Sequence, residues 1–358
     1  MDFGLNFFPS VGPDELPADR YWSEALALSE LADALGYHHI RTVEHYFEPY
    51  GGYSPNPMLF LAAAAQRTKR ARLITGAVLP IFNSPLKLAG EIGMLDALSG
   101  GRLEVGFARA FLPHEFTRFG RSLDESRARF EEGLAQILEL LAKENVSSDG
   151  QFHSFANVTS LPRPVQTPTP PVWIAASSTP ESFQKAGAAG HSVMAIPMAG
   201  GKIAEIVGLY REAWQAAGHP GRGRVMFAFS MCCMPTADEA IALYREPMNA
   251  YMSALADATA GWLGGSASAD YPNYDKMAET IRQQTFDNQR DSGLCWAGTP
   301  AEIRRWIEDY ASVVDFEIAS LQVNQHLMPR EAAERSIRLF AAEVAPYFAE
   351  QPAAAAGE

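Results

Sequence analysis

One histidine in this chain occupies a position suited to chemistry. His45 lies two residues after His38 to Val43, an alternating run that predicts a buried parallel strand. In a barrel of parallel strands the interior is packed with side chains, whereas the carboxyl ends of the strands face the one open cavity. A neutral imidazole placed there can accept or return a proton near neutral pH. The alternative is a structural histidine that caps the strand, because the spacing of the sequence specifies no partner for it.

Two further groups are suited to binding an anion. Arg109 follows an apolar run, and its planar guanidinium can donate two hydrogen bonds to a phosphate while remaining charged. Ser177, Ser178 and Thr179 come directly before a helix predicted to begin at Pro180, so their hydroxyls and backbone amides gather at a helix N-terminus. Each has an ordinary explanation, as a surface arginine or as helix N-caps. In combination they favour a phosphate site.

Composition limits the partners that these residues can serve. The 358 residues carry a formal net charge of −13, which repels nucleic acid and anionic membranes, and no basic cluster offsets it locally. No apolar run approaches the roughly 20 residues needed to span a bilayer, and Met1 to Phe8 lacks the features of a secretion signal. We therefore expect a soluble cytoplasmic protein. The three cysteines lie in apolar surroundings and indicate neither a disulfide framework nor a metal site.

Strand-like runs that alternate with helix-like runs must position these side chains. The eight strand-like runs cover residues 2–8, 38–44, 71–79, 103–107, 172–176, 191–196, 225–234 and 318–323. Eight is the count at which such a sheet closes, so we predict the α/β fold class and a (β/α)8 TIM barrel. The same alternation suits an open doubly wound sheet, but Pro9 to Pro13 lacks the Gly-x-Gly-x-x-Gly turn of an open dinucleotide-binding fold.

Two segments interrupt the alternation. Residues 146–171 contain the turn pair Asp149-Gly150 and then a proline-rich run, which predicts a hairpin-like insertion. Residues 257–292 are too long for a simple connection and predict a mobile lid or an excursion over the barrel mouth. We expect a single domain over residues 1–350 and a disordered tail over residues 351–358.

With the strands placed, the chain resembles the bacterial luciferase-like flavin-dependent monooxygenases, which are built on an eight-stranded barrel. Four fragments in register carry the resemblance, and Gly298-Thr299-Pro300 before a helix extends it towards the C-terminus. The fragments are Glu44-His45-Tyr46-Phe47, Thr75-Gly76-Ala77, Ser99-Gly100-Gly101-Arg102 with Gly106-Phe107-Ala108-Arg109, and Val172 to Thr179. Each fragment alone is unspecific, whereas the four in register are a strong joint signal, and the resemblance covers nearly the whole chain.

The resemblance implies a role for each candidate residue. His45 would assist the formation and protection of a flavin C4a-hydroperoxide, and Arg109 would clamp the FMN phosphate. Gly76 and Ala77 match a cis peptide between small residues under the flavin ring, although tight barrel packing would also explain their size. Further cofactor contacts are implied for Ala108, Ala176, Ser177, Ser178 and Thr179. For Glu44 we favour a structural role, because a carboxylate at a buried strand end can orient a neighbour or form an ion pair.

The function implied is that of a two-component monooxygenase. Reduced FMN would come from a separate flavin reductase by diffusion and, with O2 as co-substrate, would oxygenate a small, partly apolar organic molecule. Luciferases themselves have a reactive cysteine just before the phosphate-binding arginine, where this chain has Ala108, which argues against light emission. Two alternatives remain open: hydride transfer with the deazaflavin F420, and a non-catalytic flavin-binding partner subunit.

The helix predicted from Pro57 to Gln66 bears on association. It is almost entirely apolar and contains four consecutive alanines, so a second subunit could pack closely along it. We expect a homodimer. Packing of this helix on the barrel of its own chain is the alternative.

Overall fold

Eight parallel strands close into a barrel in the computed structural model, which describes residues 1–177, 179–265 and 268–349. The predicted fold class is therefore confirmed. Ser178 and the tail at residues 351–358 lie outside the described residues. The strands in chain order are β1 Asp2–Phe7, β2 His39–Thr42, β3 Arg72–Thr75, β4 Leu103–Phe107, β5 Val146–Asp149, β6 Ser154–Val158, β7 Val172–Ala175, β8 Ser192–Ala195, β9 Val225–Cys233, β10 Cys295–Gly298 and β11 Ile318–Gln322.

The barrel closes through the long strand β9. Neighbouring strands run in the order β1, β2, β3, β4, β7, β8, β9, β11, and β11 pairs with β1 to complete the circle. The last four residues of β9 pair with β10, and the last three of them extend beyond the pairing of β9 with β11. The sequence prediction missed β10, whose four residues form a short strand outside the eight-fold alternation.

Helices surround the barrel and separate successive parallel strands. They are α1 Ala18–Leu35, α2 Pro57–Arg67, α3 Pro85–Leu98, α4 Pro113–Arg118, α5 Ser126–Ala142, α6 Pro180–Ala188, α7 Gly201–Ala216, α8 Ala237–Thr259, α9 Tyr274–Arg282, α10 Phe286–Asp291, α11 Pro300–Ala311, α12 Arg330–Glu343 and α13 Ala345–Ala349. Local sequence signals set several starts: Asn56 caps α2 before Pro57, and Thr299 forms a capping box with Glu302 before α11. None of the described helices is long and apolar enough to cross a membrane.

The barrel interior is polar on one wall. Arg41, Asn6, Gln322 and Ser230 lie in register on four adjacent strands, β2, β1, β11 and β9. All four are buried. Alternate residues of these parallel strands face the interior, so His39, two residues before Arg41, also faces inwards. Its Nε2 forms a hydrogen bond of 2.7 Å with the hydroxyl of Ser320 on β11.

The remaining interior side chains are mostly apolar. Ile74, Trp173, Met194, Met226 and Ile318 form one buried cluster inside the barrel. The barrel therefore has an apolar region beside a polar layer, an arrangement that suits a ligand with both kinds of surface.

The third strand is shorter than predicted. The apolar run Ala71 to Leu79 predicted one strand, but β3 ends at Thr75 and a cis peptide bond follows between Gly76 and Ala77. The chain then turns, and the backbone N–H of Leu79 donates to the Glu44 carboxylate at 3.1 Å rather than to a neighbouring strand. Tertiary hydrogen bonding thus overrides the local strand preference.

Both predicted interruptions contain regular secondary structure in their described residues. β5 and β6 form the antiparallel hairpin expected after Val146. Within residues 257–292, α8 continues to Thr259, and α9 and α10 follow. This segment lies over the loop after β4, because the Trp262 indole donates to Phe111 O at 2.9 Å and the Tyr271 hydroxyl donates to Ala110 O at 3.1 Å. The excursion over the barrel mouth is therefore present as helical structure.

Candidate functional site

His45 lies at the carboxyl end of the barrel and forms a hydrogen bond with a buried carboxylate. Its Nδ1 is 3.1 Å from Oε1 of Glu115, a fully buried residue of α4. The same Oε1 accepts a hydrogen bond from the backbone N–H of Tyr46 at 2.9 Å. A carboxylate acceptor favours the tautomer with the proton on Nδ1, which leaves Nε2 with its lone pair. The site therefore contains an imidazole that Glu115 orients, and Nε2 of this imidazole takes no part in the hydrogen bond with Glu115.

Aromatic rings surround this imidazole. The centroid of the His45 ring lies 5.7 Å from that of Phe8, 5.3 Å from that of Tyr50 and 6.1 Å from that of Phe111. Tyr251 from α8 packs edge-on against Phe8 at 5.4 Å. These rings restrict the access of water to the imidazole and provide apolar surface for an organic ligand.

Glu44 is bound within the protein framework. Its carboxylate accepts hydrogen bonds from the Tyr46 hydroxyl at 2.5 Å, the Asn83 side-chain amide at 2.9 Å and the Leu79 backbone at 3.1 Å. Burial raises the pKa of Glu44 to about 8, and the donated hydrogen bonds oppose a larger rise. These contacts support the structural role predicted for this carboxylate, because it joins the loops after β2 and β3.

The Gly76-Ala77 peptide is cis in the structure, as the resemblance implies. The guanidinium of Arg41 packs against it: Nη2 donates to Gly76 O at 2.9 Å. A Cβ at position 76 would lie 1.9 Å from Nε of Arg41. The absence of a side chain at Gly76 is thus required by its close approach to Arg41, a reason that the sequence prediction did not contain.

Arg109 lies beside the segment that crosses the barrel mouth. Its Nη2 donates to Asp270 O at 2.8 Å, and its guanidinium carbon lies 4.4 Å above the ring centroid of Tyr271. Its Nη1 is buried and has no hydrogen-bond partner among the described residues. A buried guanidinium nitrogen without an acceptor is costly, and an anion would satisfy it.

Tyr274 connects Arg109 with the end of β7. Burial raises the pKa of Tyr274, while its interactions with Arg109, and to a lesser extent with Ser177, act in the opposite direction. Ser177 lies just before α6, whose N-cap residue Thr179 makes no side-chain capping bond. Pro180 has no N–H and the Ser182 N–H donates to Thr179 O at 3.0 Å, so the Glu181 N–H is the one in the first three residues of α6 without a partner among the described residues. The structure therefore brings Arg109 and the described part of the 177–179 run to one place. Ala108 and Ala176, also predicted as cofactor contacts, are partly buried at the ends of β4 and β7.

These groups fit the phosphate of FMN. A phosphate needs a cation and hydrogen-bond donors, which are provided here by Nη1 of Arg109, the hydroxyl of Ser177 and the N-terminus of α6.

Sequence reasoning missed Glu115, Tyr274 and Arg41. Only Arg41 left a usable signal, since it shares a strand face with His39 and is a charged residue within a buried run.

Comparisons with known proteins agree with this geometry. A family model described as luciferase-like monooxygenase matches residues 1–315. The chain is similar to the solved structure of monooxygenase RslO1 from Streptomyces bottropensis, with 43% identity, a TM-score of 0.87, and 97% of this chain and 100% of that chain covered.

Two further matches concern flavin enzymes. The chain is 35% identical over 217 residues to the oxygenase component of flavin-dependent trigonelline monooxygenase from Acinetobacter baylyi, covering 60% of this chain and 59% of that protein. The fold also matches the oxygenating constituent of 3,6-diketocamphane monooxygenase from Pseudomonas putida, solved in complex with FMN. That match has a TM-score of 0.81 at 20% identity and covers 97% of this chain and 98% of that chain.

The raised pKa of Glu44 leads to a pH-dependent prediction. Between its ordinary value and about 8, the folded protein holds a proton that the unfolded chain has lost, so the stability contributed by this group falls as pH rises through that window. Chemical denaturation of the wild type and of Glu44→Gln from pH 5 to pH 8.5 measures the effect. We expect the wild type to lose stability relative to the variant across this range. Parallel profiles would contradict the assignment.

Proposed function

Because the chain belongs to the luciferase-like monooxygenase family, we propose that it is the oxygenase component of a two-component system. In this proposal it uses reduced FMN and O2 to oxygenate a small, partly apolar organic substrate. The observation that carries the proposal is the buried Nη1 of Arg109, which has no partner among the described residues and lies near Ser177 and the start of α6. This site lies at the same end of the barrel as His45 and its buried partner.

The residues of the chain would divide the work as follows. Reduced FMN, when bound, would supply the two electrons that activate O2, and O2 would supply the transferred oxygen atom, with its second atom leaving as water. Arg109, Ser177 and the backbone N–H of Glu181 would hold the FMN phosphate, and the small Gly76-Ala77 pair would lie beside its ring. The rings of Phe8, Tyr50 and Phe111 would exclude water from the reacting centre.

His45 and Glu115 would control proton transfer at the reacting centre. Glu115 holds the proton on Nδ1, so that Nε2 is the nitrogen available to accept a proton from the reacting centre and to return it. Glu115 acts through His45 and is a positioning residue in this proposal, since Oε1 also fixes the Tyr46 backbone. The physical basis of this role is that a buried carboxylate, by accepting a hydrogen bond from one ring nitrogen, sets the tautomer of an imidazole.

The oxygenase relative named above is one component of its system, which supports supply of reduced FMN by a separate reductase. The same relative is described as flavin-dependent, so we prefer FMN to the F420 alternative. The oriented His45 and the anion site are both present, which favours a catalytic protein over a non-catalytic partner subunit.

We also propose that the protein is a homodimer. Exposed apolar side chains lie on α2 and α3 and on the proline-rich segment that follows the hairpin: Leu59, Leu86, Met94, Leu98, Leu161 and Val165. Leu59 is 72% exposed and Met94 56% exposed, although other residues of α2 pack on the barrel of their own chain. An apolar set of this kind on two adjacent helices suits a second copy of the chain.

Replacement of Arg109 tests the cofactor site. We expect Arg109→Met to weaken the binding of FMN by about tenfold or more, because one charge-assisted contact with the phosphate is lost. Fluorescence titration with FMN and with riboflavin, which lacks the phosphate, measures the effect. The variant should bind riboflavin as the wild type does. Unaltered FMN binding would remove Arg109 from the site.

Replacement of His45 tests the chemistry. In His45→Ala we expect O2 to oxidise reduced FMN whether or not substrate is present, with little oxygenated product. The yield of product should fall roughly 100-fold or more, as for loss of a general acid–base group. Glu115→Gln, with His45 retained, should give an intermediate yield at nearly unchanged FMN affinity. The measurements are oxygen uptake and product analysis on supplying reduced FMN. Wild-type yields in His45→Ala would exclude this mechanism.

Association can be measured by sedimentation velocity. The double variant Leu59→Glu with Met94→Glu should sediment as a monomer, because two charges would be buried in the proposed interface. Val313→Glu, at a similarly exposed apolar residue away from α2 and α3, serves as the control and should remain a dimer. A wild-type monomer would contradict the proposed dimer.

A further inference from the structure

Arg41 is a buried cation without an anionic partner. Its side chain lies inside the barrel and only 8% of the residue is exposed. Among the described residues it makes one hydrogen bond, from Nη2 to Gly76 O, whereas a guanidinium carries five N–H donors. Its Nε is buried and unpaired, and no described carboxylate lies within ion-pair distance of it. Burial lowers the pKa of Arg41 to about 10, so the group still carries its charge at neutral pH.

Two arginines at the other end of the barrel differ from Arg41, because each has an anionic partner. Arg72 and Arg224 enter from the opposite end, and both form ion pairs with the buried carboxylate of Glu104, at 2.9 Å and 2.8 Å. An unpaired charge held in the interior costs several kcal/mol, in order of magnitude, unless a partner neutralises it. A buried arginine that lacks a carboxylate of its own chain is therefore suited to receive an anion from a ligand.

Two buried tyrosines lie near Arg41. Tyr50 and Tyr251 are the titratable groups that influence the pKa of Arg41, and their ring centroids lie 5.7 Å apart. Tyr50 is also packed against His45, so the guanidinium and the imidazole face one region of the barrel mouth. On the other side Arg41 continues into the layer with Asn6, whose buried Oδ1 has no hydrogen-bond partner among the described residues.

We propose that Arg41 binds the carboxylate of an organic-acid substrate, whose apolar body lies among the aromatic rings next to His45. The inference rests on the proposed oxygenase function, because it names the substrate class of that same site. The carboxylate would receive hydrogen bonds from the free guanidinium N–H groups, while Nη2 stays on Gly76 O. The hydrogen bond from Arg41 to Gly76 O would then fix the position of the acid relative to the cofactor region. This anion position is distinct from the phosphate position at Arg109, which lies on the β4 and β7 side.

Matched acids and amides test this assignment on the full-length protein. The probes are benzoate with benzamide, 2-naphthoate with 2-naphthamide, and nicotinate with nicotinamide, with binding measured by calorimetry in the absence of flavin. We expect at least one acid to bind about tenfold or more tightly than its amide, because a hydrogen-bonded charge pair replaces a neutral contact. If no acid is preferred by the wild type, the inference is wrong.

Variants then locate the preference. Arg41→Met removes the charge, keeps an unbranched apolar side chain, and should reduce the preference for acid over amide to within about twofold, with amide binding unchanged. Arg41→Lys keeps the charge and should retain part of the preference, which provides a second test if the Met variant does not fold. Arg118→Met, an exposed arginine on the nearby α4, is the matched control and should behave as the wild type. An acid preference that persists in Arg41→Met would overturn the assignment.

FMN titrations of the same proteins separate this inference from the proposed function. If the wild type binds acids through Arg41 but does not bind FMN, the oxygenase proposal fails while the acid site stands. If FMN binds normally and no acid is preferred, the acid site fails alone. A third result would also overturn it: weaker binding of reduced FMN in Arg41→Met with acid binding unchanged would assign the cation to the cofactor.

Discussion

The carboxylate of Glu115 determines the form of the whole site, because a single oxygen atom binds two consecutive residues. Oε1 contacts the ring of His45 and the backbone N–H of Tyr46, so it fixes both the imidazole and the loop that carries it. Glu115 is itself fully buried on the short helix α4, which follows the same strand as Arg109. The loops after β2 and β4 therefore cannot move independently, and the aromatic rings around His45 pack on a loop that is already fixed.

The barrel beneath these loops is asymmetric in polarity. Its apolar cluster resembles an ordinary barrel core, whereas the layer from Arg41 to Ser230 retains charged and amide side chains below the mouth. Polar groups inside a barrel reduce stability unless they are satisfied, so such a layer is a cost that a purely structural core would avoid. The layer lies directly below His45 and the Gly76-Ala77 peptide. We therefore attribute this cost in folding stability to ligand binding.

The strands and helices could be predicted from the sequence where hydrophobic periodicity and capping signals agree. α2 and α3 follow this rule, and both begin at a proline that the sequence marks. The end of β3 could not be predicted, since it depends on a hydrogen bond from Leu79 to a carboxylate 35 positions earlier in the chain. Glu115 and Tyr274 were missed for the same reason: neither has a spacing signal, and each reaches its partner only through the tertiary fold.

The hydrogen bond from Arg109 to Asp270 has a thermodynamic consequence for any phosphate bound at the same guanidinium. One cation contacts both the segment that crosses the barrel mouth and the proposed phosphate position. Binding linkage is reciprocal, so a phosphate that alters the hold of Arg109 on residues 270 and 271 changes the conformational free energy of that segment. By the same amount, the change in conformation of the segment alters the affinity for the phosphate. A substitution that shifts this conformational equilibrium therefore changes the affinity even where the substituted residue touches no part of the ligand.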